Sequence, residues 1–270
     1  MIFLARTLSV FILVVLFNLP ALADSLHIRV LNVGEGQAVL LQRGEHAVLV
    51  DTGHAGQAGS IIKRMNALGI HTLDYLFLTH LHPDHASGLF RVQEAFPRAR
   101  VRDNCSPIVS NTSSDMIRWV DEALKISPLR QCVTSGDIID WGPTTISILW
   151  PMPPPAQLKD LNHTSLVLEI THAERKLLIM GDADRQAEEI MLKEKLLGPV
   201  DILVVGHHGA KDASSDELLQ TVQPQIALIS TNSNNQRGYP SDDTIKRLKL
   251  LGSKVYTTYE QGELHFVFGD

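Results

Sequence analysis

The 270-residue sequence holds only two cysteines, Cys105 and Cys132. They fit no zinc-ligand spacing, which excludes a cysteine-rich zinc module. The chain also lacks an excess of positive charge: 24 Lys+Arg stand against 30 Asp+Glu, a formal net charge of −6. That balance leaves no electrostatic footprint for tight, sequence-independent nucleic-acid binding. It does not exclude a nuclease, because bound metal cations dominate the field at an active site. Beyond residue 23 no apolar run approaches the roughly 20 residues that a membrane-spanning helix needs. There is no internal repeat and no low-complexity linker. What remains is ordinary for a globular chain with a sizeable core: 44% hydrophobic and 20% charged residues.

The first 23 residues stand apart. Arg6 is followed by an apolar run from Leu8 to Leu19, then Pro20 and Ala21-Leu22-Ala23. This is the pattern of a secretory signal peptide, with cleavage expected between Ala23 and Asp24; an uncleaved membrane anchor is the alternative. Cleavage removes only Arg6 among the charged residues, so residues 24–270 form the expected mature domain. Export, to a periplasm or out of the cell, means an oxidising compartment. Cys105 and Cys132 are therefore expected to form a disulfide rather than stay as two buried thiols.

From Leu26 onward strand-like and helix-like stretches alternate. LHIRVLNV, QAVLLQ and HAVLVDTG read as a meander, and SIIKRMNALG as a helix stopped by Gly69. LDYLFLTH is a buried strand that delivers His80 at its end. Helices are expected at GLFRVQEAF and SSDMIRWVDEAL, and a loop at the proline cluster after Trp150. TTISILW, SLVLEI, KLLIMGD, DILVVGHH, PQIALIST, SKVYTTY and GELHFVF read as further strands, with helices at SDELLQTV and SDDTIKRLKLLG. The strands arrive in two sets, before and after roughly residue 145. That order suits an α/β fold of four layers, an αββα sandwich, as one domain.

The chemistry concentrates in LTHLHPDHASG. His80, His82, Asp84 and His85 fit H-x-H-x-D-H. Imidazole and carboxylate suit Zn²⁺, and ligands two and three apart on a loop can turn towards different ions. Further candidates sit at the ends of apolar strands, where a scaffold holds ligands rigidly. They are His163 in LNHTSLVL, Asp182 in LLIMGD, and His207 or His208 in VVGHHG.

Together these segments resemble the metallo-β-lactamase superfamily. More specifically they resemble the C-terminal metallo-β-lactamase-like domain of the competence DNA-uptake protein ComEC and its stand-alone secreted relatives. The motifs that carry the resemblance are LNVGEGQAVLL, VLVDTG, THLHPDHASGL, NHTSLVL, LLIMGD, VVGHHGAKDASS and GYPSDDTIKRLKLLGSKVYTT, and it covers nearly all of residues 26–268. The resemblance implies an αββα fold with a two-metal site at one edge. His80, His82 and His163 would hold the first Zn²⁺, and Asp84, His85 and His208 the second, with Asp182 bridging. Mn²⁺ is the alternative metal. His207 is the alternative to His208, and Asp51 matches a position that supports the metal loop without being a ligand.

The chain departs from the family pattern in three places. DVGQG reads NVGEG, which puts Asn32 for an acid and Glu35 for an amide. Asn-Asn reads Asn162-His163, which would restore a third histidine. GHP reads Gly238-Tyr239-Pro240, which loses a histidine on the substrate side. The expected reaction is hydrolysis of a phosphodiester in a nucleic acid or another phosphorylated molecule, by attack of a metal-bridging hydroxide. Asp84 and Asp182 are its catalytic carboxylates. Lys211 is a candidate for holding an anionic group, against a solvated loop lysine. Asn235, Arg237 and Tyr239 are candidates for the rim, and Ser214 and Ser215 are either helix caps or substrate contacts. A β-lactamase is the second reading, ranked lower because such enzymes usually carry cysteine where Asp182 stands. A non-catalytic metal-binding domain is the third.

Overall fold

Successive residues of a strand point to opposite faces, and in this chain both sets are often apolar. Leu177 and Ile179 face one way and Leu178 and Met180 the other; Ile202 and Val204 alternate likewise with Leu203 and Val205. A strand greasy on both faces has to be covered on both. The computed structural model, which describes residues 25–108, 114–153, 160–232 and 237–269, shows how this is done. The leader expected over residues 1–23, and Asn235, lie outside the described residues.

In chain order the strands are β1 (Leu26–Val30), β2 (Val39–Arg43), β3 (His46–Val50), β4 (Tyr75–Phe77), β5 (Arg100–Asp103) and β6 (Arg130–Cys132). They continue as β7 (Ile138–Trp141), β8 (Thr144–Trp150), β9 (Val167–His172), β10 (Arg175–Ile179), β11 (Ile202–Val204), β12 (Ile226–Ile229), β13 (Lys254–Thr257) and β14 (Leu264–Phe268). Two seven-stranded sheets result, ordered β14-β1-β2-β3-β4-β5-β6 and β13-β12-β11-β10-β9-β8-β7. The division falls between β6 and β7, slightly ahead of the expected residue 145. The last strand also breaks the expected order: β14 returns to the first sheet and pairs antiparallel with β1. Its inward residues Leu264 and Phe268 thereby close the end of the inter-sheet core.

That central core contains Ile28, Val48, Phe77, Leu168, Leu177 and Val204, all essentially without solvent contact. A second apolar layer covers the outer face of the first sheet with α1 (Ala58–Ala67), α3 (Leu89–Ala95) and α4 (Asp115–Ile126). α2 (Pro83–Ala86) lies between the first two of these in the chain. A third layer covers the second sheet with α5 (Arg185–Lys193), α6 (Asp216–Val222) and α7 (Asp242–Leu250). The short α8 (Thr258–Gln261) follows β13. The result is a four-layer αββα sandwich. Each fully buried Leu, Ile or Phe contributes about 1.5–3 kcal/mol relative to exposure.

Helix starts follow ordinary capping chemistry. The side chains of Ser114, Asp184, Ser215 and Ser241 accept hydrogen bonds from the first turns of α4, α5, α6 and α7. Ser215 is thus a cap. Cys105 and Cys132 form a disulfide, tying the segment after β5 to the end of β6. Among the described residues, no helix is long and apolar enough to cross a membrane.

Candidate metal centre

β3, β4 and β5 run parallel in one sheet, and β10, β11 and β12 run parallel in the other. Their carboxyl ends meet at one edge of the sandwich. Asp51 follows β3, His80 follows β4, Asp182 follows β10, and His207-His208 follow β11. Open α/β sheets present their functional groups at such ends. Backbone bonds join the pieces: Leu166 N–H donates to Thr79 O at 2.8 Å and His207 N–H to Gly181 O at 2.9 Å.

The metal loop is organised around Asp51. This fully buried carboxylate accepts from Thr79 N at 2.8 Å, Thr79 Oγ1 at 2.8 Å and Gln37 Nε2 at 2.9 Å, and it pairs with His85 Nδ1 at 2.7 Å. The glycine-containing segment before β2 packs directly on the loop. A side chain at Gly36 would begin 2.4 Å from the Asp84 carbonyl oxygen, and Gln37 N–H donates to that oxygen at 3.1 Å. Gly181 does the same for the second sheet. Its φ is +53°, and a Cβ there would lie 2.3 Å from Ser165 Oγ, the atom that accepts Asp182 N–H at 2.9 Å.

The outer nitrogens of two rings are committed. His85 Nδ1 faces Asp51, and His208 Nδ1 donates to the Ser230 carbonyl at 3.0 Å. When neutral, each ring presents an Nε2 lone pair, and the two Nε2 atoms stand 3.2 Å apart. Asp182 Oδ1 is buried with no aligned hydrogen-bond donor, although His85 Nε2 is 3.1 Å and His208 Nε2 3.6 Å away. Two lone pairs and a carboxylate oxygen converging in a buried place form a ligand set for a cation. His80, His85 and Asp182 form one such group, and Asp84, His85 and His208 another. His82 extends the first, its Nδ1 2.9 Å from His80 Nε2.

The electrostatics of the metal-free site divide the histidines into two pairs. Burial drives the pKa of His80 well below the ordinary imidazole value, helped by the neighbouring His85, and burial lowers His82 as well. Burial opposes ionisation of Asp84 and Asp182, yet the surrounding imidazoles hold both well below the usual carboxylate range. For His85 and His208 burial likewise opposes the charge, but the carboxylates around them raise both. The site is thus built to keep two carboxylates ionised at depth, which a bound cation also requires.

A model of the metallo-beta-lactamase superfamily matches residues 31–104 and 114–233. The chain belongs to this superfamily. It is 29% identical over 243 residues to Recombination protein 2 of Haemophilus influenzae, covering 88% of this chain and 28% of that protein. It is 25% identical over 279 residues to ComE operon protein 3 of Bacillus subtilis, covering 94% of this chain and 34% of that protein. The chain therefore spans about a third of the length of these relatives, and its resemblance to ComEC-type domains is a resemblance to part of a longer protein. Among solved structures, the metallo-beta-lactamase fold protein YhfI from Bacillus subtilis superposes with a TM-score of 0.59 at 16% identity, covering 92% of this chain and 100% of that one.

Within this metallo-beta-lactamase frame, some expected residues lie elsewhere. His163 joins neither ligand group. Its Nδ1 lies 2.9 Å from Asp184 Oδ1, the cap of α5, and its ring stands edge-on to Trp150. Lys211 is exposed and pairs with Asp243 at 3.1 Å, away from the cavity beside the metal groups. That cavity, about 170 Å³, is lined by His82, Pro83, Asp84, Asn162, Asp182, His207 and Arg237. Arg237 is held by Glu35, Nε to Oε1 2.8 Å, so the two rim residues meet as an ion pair. Tyr239 packs its ring 5.3 Å from that of His207. His207 itself approaches Asp182 Oδ2 only to 3.9 Å, while His208 sits in the ligand group.

Three contributors escape a reading of residue types. His207 and His208 both adopt left-handed backbone, φ 49° and 54°, a conformation that costs about 1–3 kcal/mol for each non-glycine residue. Glu188 on α5 helps hold the loop that follows: its buried carboxylate accepts from Ser214 N and from Ser215 N at 2.9 Å. Burial raises its pKa, against those bonds. The third is Asn162, which lines the cavity beside His82 and Asp182.

Proposed function

We propose that the chain is an exported, metal-dependent hydrolase that cleaves a phosphodiester at a dinuclear centre, with Zn²⁺ as the metal and Mn²⁺ as the alternative. His80 and His82 would serve one ion and Asp84, His85 and His208 the other, with Asp182 between them. Bound there, the ions would supply Lewis acidity, lowering the pKa of a water towards neutrality and offsetting charge that develops on the phosphoryl oxygens. The chain's own part is positional. Asp51 and the Ser230 carbonyl fix the ring orientation of His85 and His208, as outer partners of metal-ligating imidazoles do. Arg237 offers the cavity rim a planar guanidinium, the group best suited to bidentate contact with a phosphate. Tyr239 offers a flat apolar face on which a base or other ring could stack.

The observation that carries the reading is the convergence of the His80, His85 and His208 imidazole nitrogens on the buried Asp182 carboxylate, beside the cavity that Arg237 lines. A relative named for recombination supports a nucleic-acid substrate. The acidic balance of the chain supports recognition at the centre itself rather than along a basic surface. Export is supported by the pattern of residues 1–23 and by the disulfide. The test measures metal content and turnover of purified protein lacking residues 1–23. Bis(p-nitrophenyl) phosphate, single-stranded DNA and a chromogenic cephalosporin are compared, with Asp182→Ala as control. Phosphodiester turnover that depends on Asp182 and on added metal is expected. Cephalosporin turnover alone would reverse the assignment, and less than one bound ion per chain would remove it.

A further inference from the structure

Resting on the metal-centre reading above, we infer that Asn162, and not the adjacent His163, provides the ligand from the turn before β9 to the His80–His82–Asp182 group, through its side-chain oxygen. Asn162 Oδ1 is buried and has no hydrogen-bond partner among the described residues, while the residue as a whole is 8% exposed. Buried acceptors of this kind are nearly always satisfied, so an orphan calls for an ion or a water. Asn162 lines the cavity together with His82 and Asp182, whereas His163 does not. The amide nitrogen is already placed, 3.4 Å from His207 Nε2, which leaves the oxygen as the free end.

His163 is occupied elsewhere. Its Nδ1 pairs with Asp184 at 2.9 Å, and Asp184 in turn accepts Ala187 N–H at 2.8 Å as the cap of α5. Its carbonyl accepts Trp150 Nε1–H at 2.6 Å. Asn162–Thr164 is a single tight helical turn, in which successive side chains diverge by about a third of a revolution. The two neighbours therefore cannot both enter the cavity. The turn is fixed, because Leu166 N–H bonds Thr79 O and Ser165 Oγ accepts Asp182 N–H. Its placement is tied to the segments that carry His80 and Asp182.

The chemical consequence is a group of two imidazoles, one carboxylate and one neutral amide oxygen. Oxygen donors of that kind suit Mn²⁺ better than a third imidazole would, whereas imidazole suits Zn²⁺. The experiment compares the wild-type chain with Asn162→Ala, Asn162→Asp and His163→Ala, each first checked for folding by a circular-dichroism melt. Bound metal is counted after equilibration with Mn²⁺ or Zn²⁺, and imidazole neighbours are counted by X-ray absorption at the zinc edge. Asn162→Ala should weaken one of two Mn²⁺ equivalents by about 10- to 100-fold, and Asn162→Asp should retain or tighten it. His163→Ala should keep both equivalents and the same imidazole count, although its melt is expected to fall through loss of the Asp184 contact. Loss of one equivalent and one imidazole in His163→Ala would overturn the inference, as would an Asn162→Ala that binds both ions normally. If Asn162→Ala does not fold, the Asn162→Asp and His163→Ala comparison still decides. A wild-type chain that binds no metal overturns the underlying centre as well, an outcome distinct from either variant result.

Discussion

Replacing Asp51 by alanine removes one acceptor and strands three N–H donors besides the Thr79 hydroxyl. Thr79 N–H, Gln37 Nε2 and His85 Nδ1–H all end on this carboxylate, and none has access to water. Leaving a buried donor unsatisfied costs about 1–3 kcal/mol, more where a charge is involved. Three of them amount to about 3–9 kcal/mol, against a total stability of about 5–15 kcal/mol for a typical domain. Asp51→Ala should therefore be marginally folded, with a urea midpoint reduced by at least about a fifth. Asp51→Asn preserves the shape and one acceptor oxygen but turns an NH₂ towards a former partner. It should fold, and its metal affinity should drop about 10- to 100-fold, as for other partners that orient a ligating histidine. Urea titration followed by circular dichroism reads the first effect, and competition with a chromophoric chelator reads the second. A wild-type urea midpoint in Asp51→Ala, or metal affinity within twofold of wild type in Asp51→Asn, would refute the assignment of Asp51 as the organiser of this loop.

The remaining predictions concern acid, space and covalent linkage. Asp84 is held below its unfolded pKa of about 4, so its contribution to stability is present above that pH and is lost as pH falls towards the folded value. In chelator-treated protein, Asp84→Asn should accordingly show a shallower loss of urea midpoint between about pH 4 and pH 2 than wild type; an equal slope would count against it. Gly181→Ala should destabilise by about 2–4 kcal/mol and release metal, since the added Cβ meets Ser165 Oγ and Thr79; a normal melt with full metal content would contradict the close packing. Reduction of the Cys105–Cys132 bond, which spans 27 residues, should cost about 3–4 kcal/mol through loop entropy. A melt in dithiothreitol that matches the oxidised protein would show that the bond does not constrain the unfolded chain.

Much of this was legible in residue types. HLHPDH stands out because ligand-forming side chains crowd a short loop after an apolar strand. The apolar runs around Leu49, Leu178 and Leu203 declare strands buried on both faces. β5 and β6 are less visible: RVRD and RQC are short and charged. Their arginines find partners only in the fold, Arg100 and Arg102 over Tyr75 and Arg130 on Asp103. That β14 returns to β1 depends on which sheet edge is open, which no local pattern encodes. The choice between Asn162 and His163 is of the same kind. Composition favours the histidine, but the direction of one tight turn and the competing attraction of Asp184 decide it.

The edge where the sheets meet has a mechanical side. His80 and His85 hang from one sheet, Asp182 and His208 from the other, and the described bonds across them are few and polar. An ion held in common by both sides would act as a clasp on one end of the sandwich. Metal occupancy would then be felt as the separation of the two sheets. Removing the ion should let that edge breathe, with amide exchange quickening around Thr79, Asp182 and His208, while the strand centres stay protected.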